Sequence, residues 1–172
     1  MKECPDDVDE NMKYSIDEEN PRIATNIIDS HCNIIGNTSL PLNKVTSWNI
    51  KVLKSRDSNG SGICTGIAPS NINQNDVNYN KSGWFFYCYD STLFSGPPHY
   101  YKGKDYGPRK EEGKYVHTGD SVGVVMDTTK GELSFALNGV NLGVAYEEIP
   151  LDKPLMPCVL LGHENDSVES LI

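Results

Sequence analysis

A chain of 172 residues with 37% hydrophobic content, nine Tyr, four Phe and two Trp can bury one sizeable core, which leaves little room for a second domain. Its net charge of −9 disfavours nucleic acid as a partner, because phosphate binding rests on an electropositive surface. No apolar run approaches the roughly 18 residues that a membrane-spanning helix needs, and the start does not read as a signal peptide.

Residues 1–20 hold eight acids (Glu3, Asp6, Asp7, Asp9, Glu10, Asp17, Glu18, Glu19) against Lys2 and Lys13, a net −6 of the total −9. So acidic and apolar-poor a stretch cannot offset the entropy of ordering it, and a disordered tail over 1–20 ahead of a domain over 21–172 is expected. The Asp-x-Asp-x-Asp-Gly spacing of a calcium loop is missing from it. Further on, Trp48, Ile50 and Val52 alternate with Asn49 and Lys51, as on a strand with one buried face. The breaker run RDSNGSG follows, and Ile63, Thr65 and Ile67 then share one side of another strand, so a hairpin is expected here.

The stretch GWFFYCYD (83–90) is almost entirely apolar and aromatic, which suits a strand buried on both faces, and LMPCVLLG (155–162) suits another. Between them, Val122, Val124 and Met126 alternate with Ser121, Gly123 and Val125. A turn at Thr128–Gly131 and a second alternation through Leu133, Phe135 and Leu137 come next. Asn138-Gly139, the pair best able to take the positive φ angles of a type I′ turn, leads into a third run from Val140 to Tyr146, completing a meander. No window shows a convincing 3.6-residue period. Many short strands separated by Gly, Pro and Asn turns predict an all-β antiparallel sandwich or barrel. The segment 91–119 departs from this economy: about thirty residues carry Gly, Pro, charge and four tyrosines without a long strand, and connections of that length tend to be functional or mobile.

Five cysteines, Cys4, Cys32, Cys64, Cys88 and Cys158, form an odd, widely spaced set without a Cys-x-x-Cys pair, which predicts buried reduced thiols and a cytoplasmic protein. The acceptor patterns at Asn37, Asn59, Asn80 and Asn165 arise by chance in so Asn-rich a chain. None of the four histidines, His31, His99, His117 and His163, stands in a motif that aims a nucleophile or holds a metal, so neither catalysis nor a cofactor is expected. Lys102, Lys104, Arg109 and Lys110 interleave with Tyr100, Tyr101 and Tyr106, a mixture that also serves single-stranded nucleic acid, but the overall charge opposes that reading. Trp48 and Trp84 lie inside apolar strands and are assigned to the core.

An ordered set of pieces over roughly residues 30–172 resembles the SPRY domain family. These are Trp48-Asn49-Ile50-Lys51, Gly62-Ile63 through Gly66-Ile67-Ala68, Gly83-Trp84, Tyr106-Gly107, and Gly119-Asp120-Ser121-Val122-Gly123 with Asp127. Leu133-Ser134-Phe135 with Asn138-Gly139, Leu142-Gly143-Val144-Ala145, and Leu155 to Pro157 complete it. The resemblance implies a bent, concanavalin-like sandwich of two antiparallel sheets and a non-catalytic adaptor or recognition module that binds a protein or peptide through loops at one edge. The extra motif that precedes SPRY in many tripartite-motif ligases, the RING and the SOCS box are not seen in the sequence. In SOCS-box members a peptide pocket uses an aromatic after the Gly-Trp strand and a segment near the last strands. Carried over, these fall at Phe94, where those members have Tyr, and at Leu160, Leu161 and Gly162, with Leu161 in place of a Trp. The candidate partner-binding residues are therefore Phe94, Tyr100, Tyr101, Arg109, Leu160, Leu161 and Gly162 on a monomer, and the runner-up reading is a lectin-like carbohydrate-binding domain.

Overall fold

The structure, a computed structural model, describes residues 13–57, 60, 62–72, 82–107 and 116–171. Among them no helix occurs, and the chain forms two antiparallel sheets that face one another across one core. The first sheet has the order β1 (Tyr14–Ile16), β2 (Ile23–Asn26), β13 (Ser167–Leu171), β4 (Val45–Lys54), β9 (Ser121–Asp127), β10 (Glu132–Leu137), β11 (Val140–Tyr146). The second runs β3 (Cys32–Ile35), β12 (Leu155–Leu161), β5 (Ile63–Pro69), β6 (Trp84–Tyr87), β7 (Thr92–Ser95), β8 (Lys102–Asp105).

The two-residue alternations account for the core. On β4 one side of the pleat buries Trp48, Ile50 and Val52, and on β9 and β10 the same inward side buries Val122, Val124, Met126, Leu133 and Phe135. These meet Ile63, Ile67, Trp84, Phe86, Leu93 and Leu161 of the opposite sheet. Central strands of the second sheet are apolar on both faces, as their sequences predict: Cys64, Ala68, Phe85, Cys158 and Leu160 form a separate buried cluster with Ile72 on the far side from the sandwich core. The predicted meander is present as β9–β10–β11, and Asn138 (φ 49°) and Gly139 (φ 82°) take the positive angles expected of its tight turn.

Three expectations need correction. The strands around Trp48 and Ile63 do not form a hairpin: β4 pairs with β13 and β9, whereas β5 pairs with β12 and β6. The intervening segment instead carries the chain from one sheet to the other. Both strands have an apolar inner face whichever sheet they join, so alternation alone does not separate an arch from a hairpin. Secondly, the ordered sheet begins inside the acidic stretch, since Tyr14–Ile16 pairs with β2; residues 1–12 lie outside the described residues. Thirdly, the stretch 91–119 contains β7 and β8 at the edge of the second sheet. Their four-residue length and the charged Lys102, Lys104 and Asp105 hid them from a search for long apolar alternation.

Candidate interaction surface

Strand direction sorts the connections into two sets. Among the described residues, one end of the sandwich carries 27–31, 55–57, 60, 62, 88–91, 106–107, 116–120, 138–139 and 162–166; the opposite end carries 17–22, 36–44, 70–72, 82–83, 96–101, 128–131 and 147–154. The sequence-derived candidates fall on both. Tyr100 and Tyr101 belong to the 96–101 turn, Gly162 to the far end, and Arg109 lies outside the described residues.

Phe94 and Gly162 are not brought together. Phe94 shares a register row with Phe85, Gly66 and Cys158. It therefore stands three strand spacings, roughly 14 Å, across the sheet and four residues, about 13 Å, along it from Gly162. Its half-buried ring meets Tyr87 edge-to-face at 5.9 Å and covers Gly103 on the neighbouring edge strand. Leu160 and Leu161 are core residues, 1% and 0% exposed, so a partner cannot touch their side chains in the folded protein. Leu161 fills the sandwich interior and Leu160 the second cluster. Nothing in the carried-over motif distinguished a buried strand end from a pocket wall.

The 96–101 turn is fastened on several sides. The Gly96 and Tyr100 backbones bond to Gly83 and to each other, the Ser95 amide reaches the Tyr101 carbonyl, and the peptide between Pro97 and Pro98 is cis. His99 accepts a hydrogen bond at Nδ1 from Trp84 Nε1 (3.3 Å), and its Nε2 donates to the Glu147 carbonyl (2.6 Å), which can only accept. Tyr101 stacks on Tyr146 at 5.5 Å, with Lys104 Nζ 4.2 Å above its ring. Tyr146 in turn donates its hydroxyl toward the Phe85 and Phe94 carbonyls, tying the edge of one sheet to the other. On this platform Tyr100 is 64% exposed and holds φ at 52°, a left-handed conformation that side-chain-bearing residues seldom adopt. Sequence reasoning set His99 aside as a catalytic candidate but did not foresee that it locks this turn.

At the opposite end a buried carboxylate joins two connections. Asp166, 0% exposed, accepts from the Arg56 amide (3.1 Å) and the His163 amide (2.8 Å), with His163 Nδ1 3.4 Å away. Burial pushes the Asp166 carboxyl above its ordinary range, against the pull of these amides and of His163. Burial likewise lowers His31, helped by repulsion from His163 and opposed by Asp166. Gly162 and Gly62 touch here, and a Cβ on Gly62 would lie 2.4 Å from His163 Nδ1.

The sign of the pH dependence follows. A histidine whose folded pKa lies below its unfolded value near 6.5 leaves the folded chain with fewer bound protons between the two, so its contribution is complete above about 6.5 and shrinks as pH falls below it. Wild-type stability should therefore drop between about pH 7.5 and about pH 5.5, and His31→Gln should flatten that drop in denaturant titrations at both pH values. Parallel pH slopes for the two proteins would remove His31 from this role.

The cysteines are held inert. Burial pushes Cys32 up to about 11 and Cys158 to about 12, and raises Cys64 and Cys88 strongly as well. All four are free, and Cys4 lies outside the described residues.

The two-sheet sandwich thus carries loops at both ends, one of them bearing an exposed tyrosine on a fixed turn. The SPRY domain family profile matches residues 45–172, and the chain belongs to that family, which is generally one of protein-interaction modules. Among solved structures, the chain is similar to the SPRY domain of human HERC1, with a TM-score of 0.74 and 18% identity over 93% of this chain and 92% of that one. A second human SPRY domain gives a TM-score of 0.71 and 14% identity over 93% and 95%. At such identities the likeness concerns the fold. Comparison with curated protein sequences gives no match. The strands β1 to β3 precede the matched residues yet complete both sheets.

Proposed function

We propose that this chain is a non-catalytic recognition module that acts in the cytoplasm as a monomeric adaptor, binding a protein partner through the 96–101 turn and the adjoining Phe94 edge. The observation that carries this reading is Tyr100: a large aromatic, 64% exposed, held in a left-handed backbone conformation at the tip of a turn that is itself locked from below. Conformational cost at an exposed aromatic contributes nothing to packing, and an aromatic presented rigidly loses little entropy on binding. The non-catalytic reading is supported by the occupied ring nitrogens of His99 and by thiols that burial keeps protonated.

Tyr100→Gly separates binding from folding, since glycine accommodates φ of 52° without a Cβ. The variant should melt at or slightly above the wild-type temperature while losing an anchor worth about 2 kcal/mol, roughly thirtyfold in affinity for a protein captured by the immobilised domain. Unchanged capture, or capture that free sugar competes away and protease treatment of the lysate spares, would overturn it.

A further inference from the structure

The Tyr100 turn does not stand alone at its end of the sandwich. The connection that follows β11 is fastened to it by the bond from His99 Nε2 to the Glu147 carbonyl, and the rings of His99 and Tyr101 each lie 5.5 Å from that of Tyr146, one residue earlier. Glu147 and Glu148 therefore border the turn that presents Tyr100. Both are exposed, and Glu148 holds φ at 54°, in the same left-handed region as Tyr100. Among the described residues neither carboxylate has an ion-pair or hydrogen-bond partner.

The lysines nearby are engaged elsewhere or stand apart. Lys104 lies against Tyr101, 4.2 Å above its ring and 3.0 Å from its hydroxyl. Lys130, whose neighbour Gly131 accepts from the Ile149 amide, pairs with Asp127 (4.0 Å) and Glu132 (3.8 Å). Lys102 is the register partner of Phe94, which in turn pairs with Phe85 of the cluster on the outer side of the second sheet. Further along the connection, Asp152 and Lys153 cancel in charge. An exposed ring bordered by two unpaired carboxylates is thus what this end offers a partner.

Those two features suit one side chain above the others. A guanidinium group donates N–H bonds in pairs to a carboxylate and also stacks on aromatic faces, whereas an ammonium is a single, strongly hydrated point charge. We propose that the Tyr100 turn and the Glu147–Glu148 corner together receive an arginine-bearing segment of the partner protein, the arginine pairing with the carboxylates while an adjoining apolar side chain covers the Tyr100 ring. This assignment rests on the Tyr100 turn being the interface and names what that interface takes. The carboxylates set orientation and rate of encounter, and the ring supplies the buried area.

A displayed library of random peptides about ten residues long, roughly 33 Å when extended, supplies the probe. Selection against the full chain should enrich an arginine next to a large apolar residue, in peptides that bind more weakly as salt rises. Replacing that arginine by Gln should weaken them more than replacing it by Lys. Glu147→Gln combined with Glu148→Gln keeps the backbone carbonyl that His99 uses, so the variant should melt with the wild type while binding the peptides about five- to tenfold more weakly, as two surface charge pairs imply. Asp57→Asn with Glu164→Gln makes the same charge change on exposed residues of the opposite end and should leave binding unaltered. Tyr100→Gly divides the remaining outcomes. Peptides weakened by Tyr100→Gly but not by the double glutamine variant, or a selection without an arginine consensus, would overturn the arginine assignment and leave the turn as the interface. Peptides weakened equally by the two double variants would do the same, since net charge alone would then be read. Peptides indifferent to Tyr100→Gly would overturn the interface itself and this assignment with it.

Discussion

Phe135→Ala is expected to lower the unfolding free energy by about 3–5 kcal/mol, the range for truncating a buried phenylalanine whose cavity the surroundings cannot fill. Phe135 is 0% exposed and sits at the centre of the aromatic contacts that join the sheets, 5.4 Å from Phe86 and 6.0 Å from Tyr106 by ring centroids. Its own amide donates to the Tyr106 hydroxyl (3.1 Å), which donates onward to the Gly143 carbonyl (2.6 Å). β9 holds Phe135 in register opposite Val124, and β11 pairs with its neighbours Ser134 and Ala136 across a bulge, so collapse into the vacated space would require strands to move together. Denaturant titration of the variant should show the midpoint falling with little change in slope. A loss below about 1 kcal/mol would mean that the neighbouring rings close the gap, and the two-sheet core would be far more plastic than close packing allows.

Gly66→Ala should be at least as damaging, for the opposite reason. Gly66 lies mid-strand on β5, between Cys158 and Phe85, and a Cβ there would stand 1.9 Å from the Trp84 carbonyl oxygen and 3.0 Å from the Phe85 Cα. Those are backbone atoms in a hydrogen-bonded ladder, so no side chain can swing aside to relieve the clash. Separating β5 from β6 would disturb pairs on which Trp84 and Phe86 depend for their place in the core. Overpacking ordinarily costs about 1–3 kcal/mol, and with backbone as the obstacle a loss at or beyond the upper end is expected. Circular dichroism and denaturant titration on purified protein would measure it. A Gly66→Ala protein as stable as wild type would show that the ladder between β5 and β6 can widen without penalty.

The fold was legible wherever one physical signal acted alone. Alternation located β4, β9 and β10 with their buried faces, and Asn138-Gly139 located the turn into the run that forms β11. Alternation reports which face is buried and not which strand lies alongside, so the arch between β4 and β5 was read as a hairpin. Tyr14–Ile16 was lost to its surroundings, three strand residues in a run of acids. The site was less legible. Tyr100 was read as a surface residue because a large side chain among Gly and Pro stays near the surface, and its exposure agrees. Leu160 and Leu161 were carried over by motif position, yet two adjacent residues of a strand apolar on both faces have nowhere to point but inward. The buried Asp166 depends on residues far apart in the chain, Arg56 with Asp166, and no local pattern announces such a meeting.

The four described cysteines supply a clock for one half of the molecule. Cys32 lies on β3, Cys64 on β5, Cys158 on β12 and Cys88 directly after β6, so all belong to the second sheet. Each thiol is 2% exposed or less, so a water-soluble alkylating reagent can reach it only when its surroundings open. With Cys4 replaced, the rate at which label accumulates at each position, read by mass spectrometry, would therefore give the local opening free energy of that sheet strand by strand. No isotope exchange is needed, and the meander of the first sheet would stay invisible to the measurement.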